Sequence, residues 1–536
     1  MTGMTDKKIQ VNKIIDFLLK PFGENLAFFL ALWLLASAAD IFFYAKSGNP
    51  VFGIYMGLHG LIQVYVVVLL CGFLKEKVLK VAKIILLILG VVSMIADACV
   101  HKIMNFSFTK DMVAIILGSN PSEASEFLPM YLNAGVLGFI GVVLAIMSGL
   151  LVFERQISAV SRRWLQWLLL ALVALSVLLV SLRHSRNWEG VFLNKIGLFL
   201  SYESPENLTK YRQDVEVSVE EEQPANLVLI FGESLSKRHC SLYGYEKETT
   251  PIQESMVANS TLLRFTNIQA AWTHTLDAFS RMMTTFDNQP GDDLPWYKHL
   301  YLHDVLAAAG YKTIWISNQS SAGIWDNGVA KIAALSDTTE WVGPKGMSFK
   351  KSNPDGDVLP YVKSFLAHPL GDKQVFMVHL MGSHAEFSAR YPDSFAHFSE
   401  EDYPNAPIGQ RKNLMDYDNS IRYNDWVVSE IMHCFDDQEA IVLSFPDHGL
   451  DFYYTDPGYA GHARTSDPLS VQYGREIPFV AYPTKLYREH FPRQVQRLEA
   501  ACEKEYNLED LLYTVMDLAG ARFPENDMVR EKSLLQ

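Results

Sequence analysis

Hydrophobic and polar residues divide the sequence into two parts with different patterns. Before about residue 185 there are five apolar stretches, each near the roughly 20 residues that a helix needs to cross the hydrocarbon layer of a membrane: 26–45, 53–74, 81–100, 133–153 and 165–183. One such stretch could be a buried core helix, but five in succession predict a transmembrane bundle. From residue 225 onward, short apolar runs alternate with mixed segments, as in a soluble domain.

The second part alternates predicted strands and helices. Short runs rich in branched residues predict strands at 226–231, 312–317, 374–379, 439–445 and 477–482. Helical segments are predicted between and after them, for example at 299–309, 355–367, 415–435 and 508–519. This alternation implies an α/β domain with a mainly parallel central sheet that is covered by helices on both faces.

These patterns predict three regions: a transmembrane domain with five helices (1–185), a connector (186–224) and a soluble domain (225–536). The connector begins with apolar residues spaced for a helix that lies on the membrane surface, among them Trp188 and Phe192. It ends in an acidic run that we interpret as a solvated linker.

Positive charge predicts the orientation of the bundle. Lysines and arginines concentrate before the first span, after the second and after the fourth: Lys7, Lys8, Lys13, Lys20, Lys75, Lys77, Lys80, Arg155, Arg162 and Arg163. The alternate loops are poorer, with Lys46, Lys102 and Lys110. The positive-inside rule then places the N-terminus in the cytoplasm. An odd number of spans places the domain after residue 185 in the periplasm or outside the cell.

Composition narrows the choice of partners. Hydrophobic residues make up 49% of the chain and charged residues 20%, and the formal net charge is -14. Such an acidic balance argues against a nucleic acid partner. Three cysteines lie outside the predicted spans, Cys240, Cys434 and Cys502, so at most one disulfide is expected in that domain.

Residues that can bind a metal follow two of the predicted strands. Leu227 to Phe231 run into Gly232 and Glu233, and the strand at 439–445 runs through Pro446 into Asp447 and His448. Ligands bind at the carboxyl ends of strands in open α/β sheets. Zinc accepts carboxylate oxygen and imidazole nitrogen in a tetrahedral site. Glu233, Asp447 and His448 therefore predict a zinc site.

Hydroxyls and further histidines follow other strands. Thr273 and Thr275 stand at the start of a predicted helix, where a hydroxyl lies near backbone N–H groups that can hold a phosphate. The alternative interpretation, left open by this segment alone, is that one of them only caps the helix. His384 follows the strand at 374–379, and His462 lies in the loop after Asp447.

Several motifs together resemble the phosphoethanolamine transferases, which are membrane-anchored members of the alkaline phosphatase/sulfatase superfamily. They occur in order over about 226–485: Gly232-Glu233-Ser234, Ser241 to Tyr245, Glu248 to Pro251, Trp315 to Gln319, His379 to His384, Tyr417 to Tyr423 and Asp447-His448-Gly449. The predicted five-span anchor matches as well. The resemblance implies a sulfatase-like fold for the soluble domain.

The resemblance also implies roles for individual residues. Glu233, Asp447 and His448 would bind a catalytic Zn2+, and Thr275 would be the nucleophile and touch the same metal, with Thr273 as the fallback. His384 and His462 would bind substrate phosphate or a second zinc ion. In the loop between spans three and four, Ser119 and Glu123 match positions that would contact the donor headgroup, and Glu123 is the better match.

Two departures from the lipid A-modifying branch bear on the acceptor. That branch has cysteines flanking the nucleophile segment, where this chain has Ala271 and Arg281. Its headgroup loop carries Asn, Thr and Glu, where this chain reads Ile115, Ser119 and Glu123. These differences favour the branch that acts on lipopolysaccharide core sugars, periplasmic glucans or other glycans.

The resulting expectation is a multi-pass enzyme of the bacterial inner membrane. It would move phosphoethanolamine from phosphatidylethanolamine to an envelope glycan or lipopolysaccharide through a phosphothreonine. A sulfatase is not expected, since the nucleophile region has no Cys/Ser-x-Pro-x-Arg element. Two alternatives stay open: a glycerophosphate transferase of the lipoteichoic acid synthase type, and a catalytically inactive envelope scaffold.

Overall fold

The structure is a computed structural model of the chain, and it describes residues 2–23, 25–104, 113, 132–182, 192–200, 207–287, 294–321, 328–343, 353–464, 467–523 and 531–536. The described residues form two compact units. One contains the helices up to Leu200 and the other contains the residues from Asn207 to Gln536. The predicted boundaries of the connector stay predictions.

The first unit is all helical where it is described. Its helices are α1 (Thr2–Leu19), α2 (Leu26–Lys46), α3 (Pro50–Cys71), α4 (Glu76–Met104), α5 (Ala134–Val152), α6 (Glu154–Val160), α7 (Arg163–Leu182) and α8 (Phe192–Leu200). Five of these, α2, α3, α4, α5 and α7, are long and apolar enough to cross a membrane. They coincide with the five stretches that the sequence predicts.

Large apolar side chains face outward on these helices. On α4, Val81, Ile84, Ile88 and Val92 are between 57% and 60% exposed, and they recur every three or four residues along one face. A stripe of this size is unstable in water but is the ordinary surface of a helix in lipid. The five-helix membrane prediction is therefore supported by packing as well as by length.

The interior of this unit contains two pairs of ionisable residues. His101 Nε2 lies 2.7 Å from Asp40 Oδ1. The Lys195 ammonium of α8 donates to the Asp97 carboxylate and, at 3.0 Å, to Ser93 Oγ. All four ionisable side chains are buried. Charges inside a membrane bundle are costly unless they are paired, so the Asp97–Lys195 pair fastens α8 to α4.

The second unit is built on a seven-stranded sheet. The strands of this unit are β1 (Ser218–Val219), β2 (Asn226–Gly232), β3 (Leu263–Phe265), β4 (Ile268–Gln269), β5 (Lys312–Ser317), β6 (Thr338–Trp341), β7 (Gln374–His379), β8 (Ala440–Pro446), β9 (Asp451–Phe452), β10 (Ala460–Gly461), β11 (Phe479–Pro483), β12 (Tyr506–Asn507) and β13 (Ala521–Arg522). The main sheet has the order β3-β11-β8-β2-β7-β5-β6. In this sheet β11 runs antiparallel to both of its neighbours, β3 and β8, and the other neighbouring pairs are parallel. The fold-class prediction is thus confirmed.

Helices cover both faces of this sheet. They are α9 (Pro251–Ala258), α10 (Thr275–Met282), α11 (Leu302–Ala308), α12 (Gly328–Ala333), α13 (Leu359–Ala367), α14 (Ile408–His433), α15 (Pro468–Arg475), α16 (Lys485–His490), α17 (Pro492–Ala500) and α18 (Leu511–Leu518). Alternate residues of β2 belong to different cores. Leu229 and Phe231 pack in one with Phe279 of α10, whereas Val228 and Ile230 pack in the other with residues of α14.

The predicted helices differ from the observed ones mainly at their ends. The segment predicted at 355–367 begins as a tight turn, Asp355–Val358, and becomes an α-helix only at Leu359. Pro360 explains this boundary, because proline lacks a backbone N–H and is tolerated only in the first turn of a helix. The helix predicted at 415–435 already begins at Ile408, directly after Pro407.

We expect the Asp97–Lys195 pair to behave as a coupled unit in stability measurements. Lys195→Met should destabilise the protein by about 3 to 5 kcal/mol, because it leaves a buried carboxylate unpaired. The double variant Asp97→Asn/Lys195→Met should recover most of this loss. Thermal unfolding in detergent measures both. Equal destabilisation by the single and the double variant would mean that the charges are not paired.

Candidate active site

Two carboxylates from distant parts of the sequence meet because β2 and β8 are neighbouring parallel strands. In the register of this pair, Gly232 lies opposite Pro446. The next residue of each strand, Glu233 and Asp447, therefore leaves the sheet at the same point. This is the carboxyl end of the strands, where open α/β sheets bind ligands. His448 follows directly and completes a cluster of three.

The three side chains are close enough to bind one metal ion. One ligand atom from each of Glu233, Asp447 and His448 lies within 4.8 Å of the other two. His448 Nε2 is 3.4 Å from Glu233 Oε1 and 3.5 Å from Asp447 Oδ2. All three side chains are buried. Within the described part of the chain, this is the one group of three such residues that meets at this spacing.

Hydrogen bonding leaves two metal-binding lone pairs of this cluster unused. His448 Nδ1 lies 2.8 Å from the carbonyl oxygen of Gly449, so Nδ1 carries the proton and donates it there. His448 Nε2 and Asp447 Oδ2 are buried and have no hydrogen-bond partner. Unpaired buried polar atoms are costly. Imidazole nitrogen with carboxylate oxygens is a zinc donor set, so these residues fit a zinc ion.

Electrostatics gives a second reason for a cation at this place. Burial, and then the neighbouring Asp447 carboxylate, raise the pKa of Glu233 to about 8. Burial raises the pKa of Asp447 to about 7, against the opposing effect of backbone hydrogen bonds from Ser234 and His448. Two carboxyl groups with such pKa values keep their protons near neutral pH unless a metal cation displaces those protons.

The hydroxyl of Thr275 lies at the same cluster. Thr275 is the first residue of α10, and its Oγ1 donates to Glu233 Oε2 at 3.3 Å. Its side chain is only half-buried, whereas Thr273 is fully buried and pairs with His274 Nδ1 at 3.1 Å. The structure therefore places Thr275, and not the fallback Thr273, beside the metal ligands. The nucleophile role itself stays a prediction.

The two predicted histidines lie near the cluster and are joined by a third. The ring of His462 is 4.8 Å from that of His448 and stacks on His274 at 5.2 Å. Burial lowers the pKa of His274 to about 3. Burial also lowers the pKa of His384 and His462; the Arg390 guanidinium adds to this effect at His384, and the neighbouring histidines add to it at His462. These imidazoles are therefore neutral at pH 7. The sequence predicted His384 and His462, but no role for His274.

A close backbone contact fixes the position of Glu233. Gly382 has a positive φ of 51°, and a Cβ at this residue would lie 2.6 Å from the backbone nitrogen of Glu233. Ser383 N donates to the Glu233 carbonyl oxygen at 2.9 Å. Ser234, the residue after the ligand, is held at a φ of 55°, which is strained for a residue with a side chain.

Polar side chains for which the sequence predicted no individual role complete this support. The buried Asp355 accepts backbone hydrogen bonds from Met381 and Gly382, both at 2.8 Å. Gln319 Nε2 and Ser234 Oγ donate to the Glu233 carboxylate at 3.2 and 2.7 Å. Asp355 lies in a tight turn 26 positions before Met381, and no sequence motif signals such a contact. Ser119 and Glu123 lie outside the described residues.

Comparison with known proteins agrees with this arrangement. The sulfatase family model matches residues 225–521, which is more than half of the chain. The chain belongs to the sulfatase family. The absence of a Cys/Ser-x-Pro-x-Arg element from the nucleophile region distinguishes it from members that make formylglycine.

Curated relatives are named phosphoethanolamine transferases. The chain is 25% identical over 487 residues to phosphoethanolamine transferase EptC of Escherichia coli O18:K1:H7, which covers 84% of this chain and 82% of that protein. It is 26% identical over 314 residues to phosphoethanolamine transferase CptA of Salmonella typhimurium, covering 57% and 53%. The predicted resemblance to this group, and with it the prediction of a transferase, is confirmed.

Solved structures show the same fold. The zinc complex of the C-terminal periplasmic domain of EptC from Escherichia coli matches with a TM-score of 0.53 and 26% identity over 60% of this chain and 89% of that one. The integral membrane lipooligosaccharide phosphoethanolamine transferase A from Neisseria meningitidis matches with a TM-score of 0.66 and 20% identity, covering 94% and 96%. The zinc prediction is thereby supported, although the number of ions stays a prediction.

We expect Gly382→Ala to weaken zinc binding, because the new methyl group would displace the backbone of Glu233. Gly244→Ala is the matched control: Gly244 also has a positive φ, of 95°, but a Cβ there meets nothing within 4 Å. Both variants carry the strain of about 1 to 2 kcal/mol for a left-handed residue, and only Gly382→Ala should lose metal. Zinc content after dialysis measures this, and equal retention by both variants would contradict the role given to Gly382.

Zinc affinity should fall as the pH is lowered from 8.5 to 6. Glu233 and Asp447, with pKa values of about 8 and 7, must lose their protons when the metal binds. Each proton displaced should weaken the apparent affinity by about tenfold per pH unit below its pKa. Competition with a chelator of known pH dependence gives the slope. An affinity that does not change over this range would show that the carboxylates are already ionised in the metal-free protein.

Proposed function

We propose that this protein transfers phosphoethanolamine from phosphatidylethanolamine to a hydroxyl or phosphate of a cell-envelope glycan, through a phosphoethanolamine ester on Thr275. The observation that carries the proposal is the contact between a half-buried hydroxyl, Thr275, and a buried set of zinc-type ligands, Glu233, Asp447 and His448. The relatives are named phosphoethanolamine transferases, which supports phosphoethanolamine as the transferred group.

The residues of this site differ in burial: we call the buried ones the floor of the site and the half-buried ones its mouth. Glu233, Asp447 and His448 are buried and form the floor, where they would hold the metal. Thr275, His384 and His462 are half-buried and face a substrate that arrives from outside. A zinc ion held at the floor supplies a positive charge that favours an ionised hydroxyl and withdraws electron density from a phosphate oxygen.

In the first half-reaction, Thr275 Oγ1 attacks the phosphorus of phosphatidylethanolamine. The bond between phosphorus and the glycerol oxygen breaks, and diacylglycerol leaves after its oxygen gains the proton that Thr275 has lost. Phosphoethanolamine is then esterified to Thr275. The start of α10 helps to hold the phosphate, because its first backbone N–H groups have no partner within the helix.

In the second half-reaction, an acceptor oxygen attacks the same phosphorus and the bond to Thr275 Oγ1 breaks. The acceptor hydroxyl gives up a proton, and Thr275 regains one. His384 and His462 are the candidates for this transfer, because both are half-buried imidazoles at this site and an imidazole nitrogen can accept a proton. Either could instead bind the substrate phosphate, or the two could hold a second zinc ion.

The membrane bundle fits a lipid donor. The protein has five helices of spanning length, and an enzyme that draws its substrate from a bilayer has to work at the bilayer surface. We propose an inner-membrane location, with the N-terminus in the cytoplasm and the sulfatase-like domain in the periplasm. The distribution of lysine and arginine between the loops supports this topology.

The acceptor is proposed at the level of its class. Relatives whose names include an acceptor act on lipooligosaccharide or on Kdo(2)-lipid A. The departures of this chain at Ala271, Arg281 and Ser119 from the lipid A-modifying pattern favour core sugars or periplasmic glucans. The glycerophosphate alternative is not favoured by the relatives, and the inactive scaffold is disfavoured by a complete ligand set.

The proposal predicts a covalent adduct that depends on one hydroxyl. Purified full-length protein with zinc and phosphatidylethanolamine should release diacylglycerol and gain one phosphoethanolamine group by intact mass. Thr275→Ala should abolish both signals, since it removes the attacking oxygen. Thr273→Ala, which removes a buried hydroxyl beside it, is the matched control and should keep the adduct.

Other outcomes would support a different nucleophile or one of the alternative functions. An adduct that survives in Thr275→Ala and disappears in Thr273→Ala would move the nucleophile by two residues. Cleavage of phosphatidylglycerol in place of phosphatidylethanolamine would establish the glycerophosphate transferase. Inactivity with both lipids, in protein that does not retain zinc, would establish the scaffold.

A further inference from the structure

The segment that carries Thr275 has little stability of its own. The helix α10 has eight residues, and His274 before it makes no side-chain capping bond. Isolated helices shorter than about 12 to 15 residues are marginal in water. The direction in which Thr275 points must therefore be set by contacts that α10 makes with the rest of the domain.

The Arg281 side chain contacts the chain both before and after this helix. Arg281 lies in the last turn of α10, and the centre of its guanidinium group is 4.7 Å from the ring centre of Trp272 and 5.7 Å from that of Phe286. Trp272 precedes the helix and Phe286 follows it. Stacking of a guanidinium on two rings therefore links the entry and the exit of the segment.

The same cation is tied to a second element. Arg281 Nη1 donates to Glu509 Oε1 at 2.8 Å, and the Arg281 side chain is only 8% exposed. Glu509 is itself held, because Asn507 Nδ2 donates to its other oxygen at 3.1 Å. A charge-assisted hydrogen bond at a buried place is stronger and more directional than one at the surface. This contact fixes the C-terminal end of α10 against the segment just before α18.

A further arginine fastens the start of the segment. Ala270 N donates to the Arg475 carbonyl oxygen, and Arg475 Nε donates to the Ala270 carbonyl oxygen, both at 2.9 Å. With Ala270 held at one end and Arg281 at the other, the helix between them cannot rotate about its axis without breaking a buried contact. On the opposite side, Phe279 packs on Phe231 of β2 at 5.1 Å.

We propose that Arg281 is a positioning residue for the nucleophile. It lies six residues after Thr275, about 9 Å along the helix axis, so it acts through the helix and not on the reacting atoms. A lysine cannot replace it, because an ammonium group lacks the planar face that stacks on two rings. This inference rests on the proposed function, since it concerns the hydroxyl that forms the ester.

The test compares Arg281→Lys with a matched variant, Arg238→Lys, in the full-length protein. Arg238 makes the same kinds of contact at another place in the domain. Its guanidinium lies 4.6 Å from the ring centre of Tyr473 and 5.7 Å from that of Tyr454, and Arg238 Nε lies 2.6 Å from Glu476 Oε2. Four quantities are measured: kcat with the donor lipid, KM, zinc content, and hydrogen exchange of the amides of α10.

Arg281→Lys should lower kcat by about ten- to a hundredfold, the loss typical of a reacting group displaced by up to 1 Å, with KM and zinc content unchanged. Exchange should accelerate in the peptides that cover α10 and nowhere else. Arg238→Lys should change none of these. An unchanged kcat in Arg281→Lys would overturn the proposal. So would a loss of kcat that is matched by loss of zinc and of overall stability, because that pattern indicates a purely structural role.

Hydrogen exchange separates this inference from the proposed function. If wild-type protein forms no adduct with phosphatidylethanolamine, the transfer reaction is wrong, but the exchange measurement still applies. Faster exchange confined to α10 in Arg281→Lys would then support the positioning of Thr275 for some other reaction. Unchanged exchange there would overturn the positioning role independently of any activity.

Discussion

The burial of two carboxylates next to each other is the constraint on which this structure depends. Glu233 and Asp447 leave adjacent parallel strands at the same point and are removed from water, where their charges repel. Both pKa values are raised, to about 8 and 7. Such a pair is stable only with protons or with a cation that binds both groups. The free Nε2 of His448 faces the same point, and imidazole with carboxylates selects zinc over the hard cations.

The surroundings of this pair are organised to keep it in place. Glycine at position 382 allows the backbone of one loop to touch that of Glu233, and Asp355 anchors that loop from beneath. The hydroxyl of Thr275 reaches Glu233 from the start of a short helix. The rigid sheet thus supplies the proposed metal ligands, while less regular segments supply the groups proposed to meet substrate. This division suits the proposed reaction, in which the metal stays bound while two substrates enter in turn.

The sequence predicts the strands of this domain better than it predicts the support of the site. The strands containing Leu229, Ile314 and Met377 lie where the buried branched runs indicate, because such runs have few other stable arrangements. The ligands follow from their places at strand ends, and Thr275 from a motif. By contrast, the antiparallel direction of β11 and the short edge strand β6 depend on neighbours that the pattern does not name. Gly382 lies within a recognised motif, but its contact with Glu233 and the role of Asp355 are visible only once the loops are folded, since they join separate segments of the chain.

The most direct test of this account is to locate the zinc ion in crystals of the full-length protein by anomalous scattering at the zinc edge. The account predicts one strong peak about 2.0 to 2.2 Å from a carboxylate oxygen of Glu233, from one of Asp447 and from His448 Nε2, with Thr275 Oγ1 beside it. A single peak among His274, His384 and His462, with no zinc at Glu233, Asp447 and His448, would contradict it.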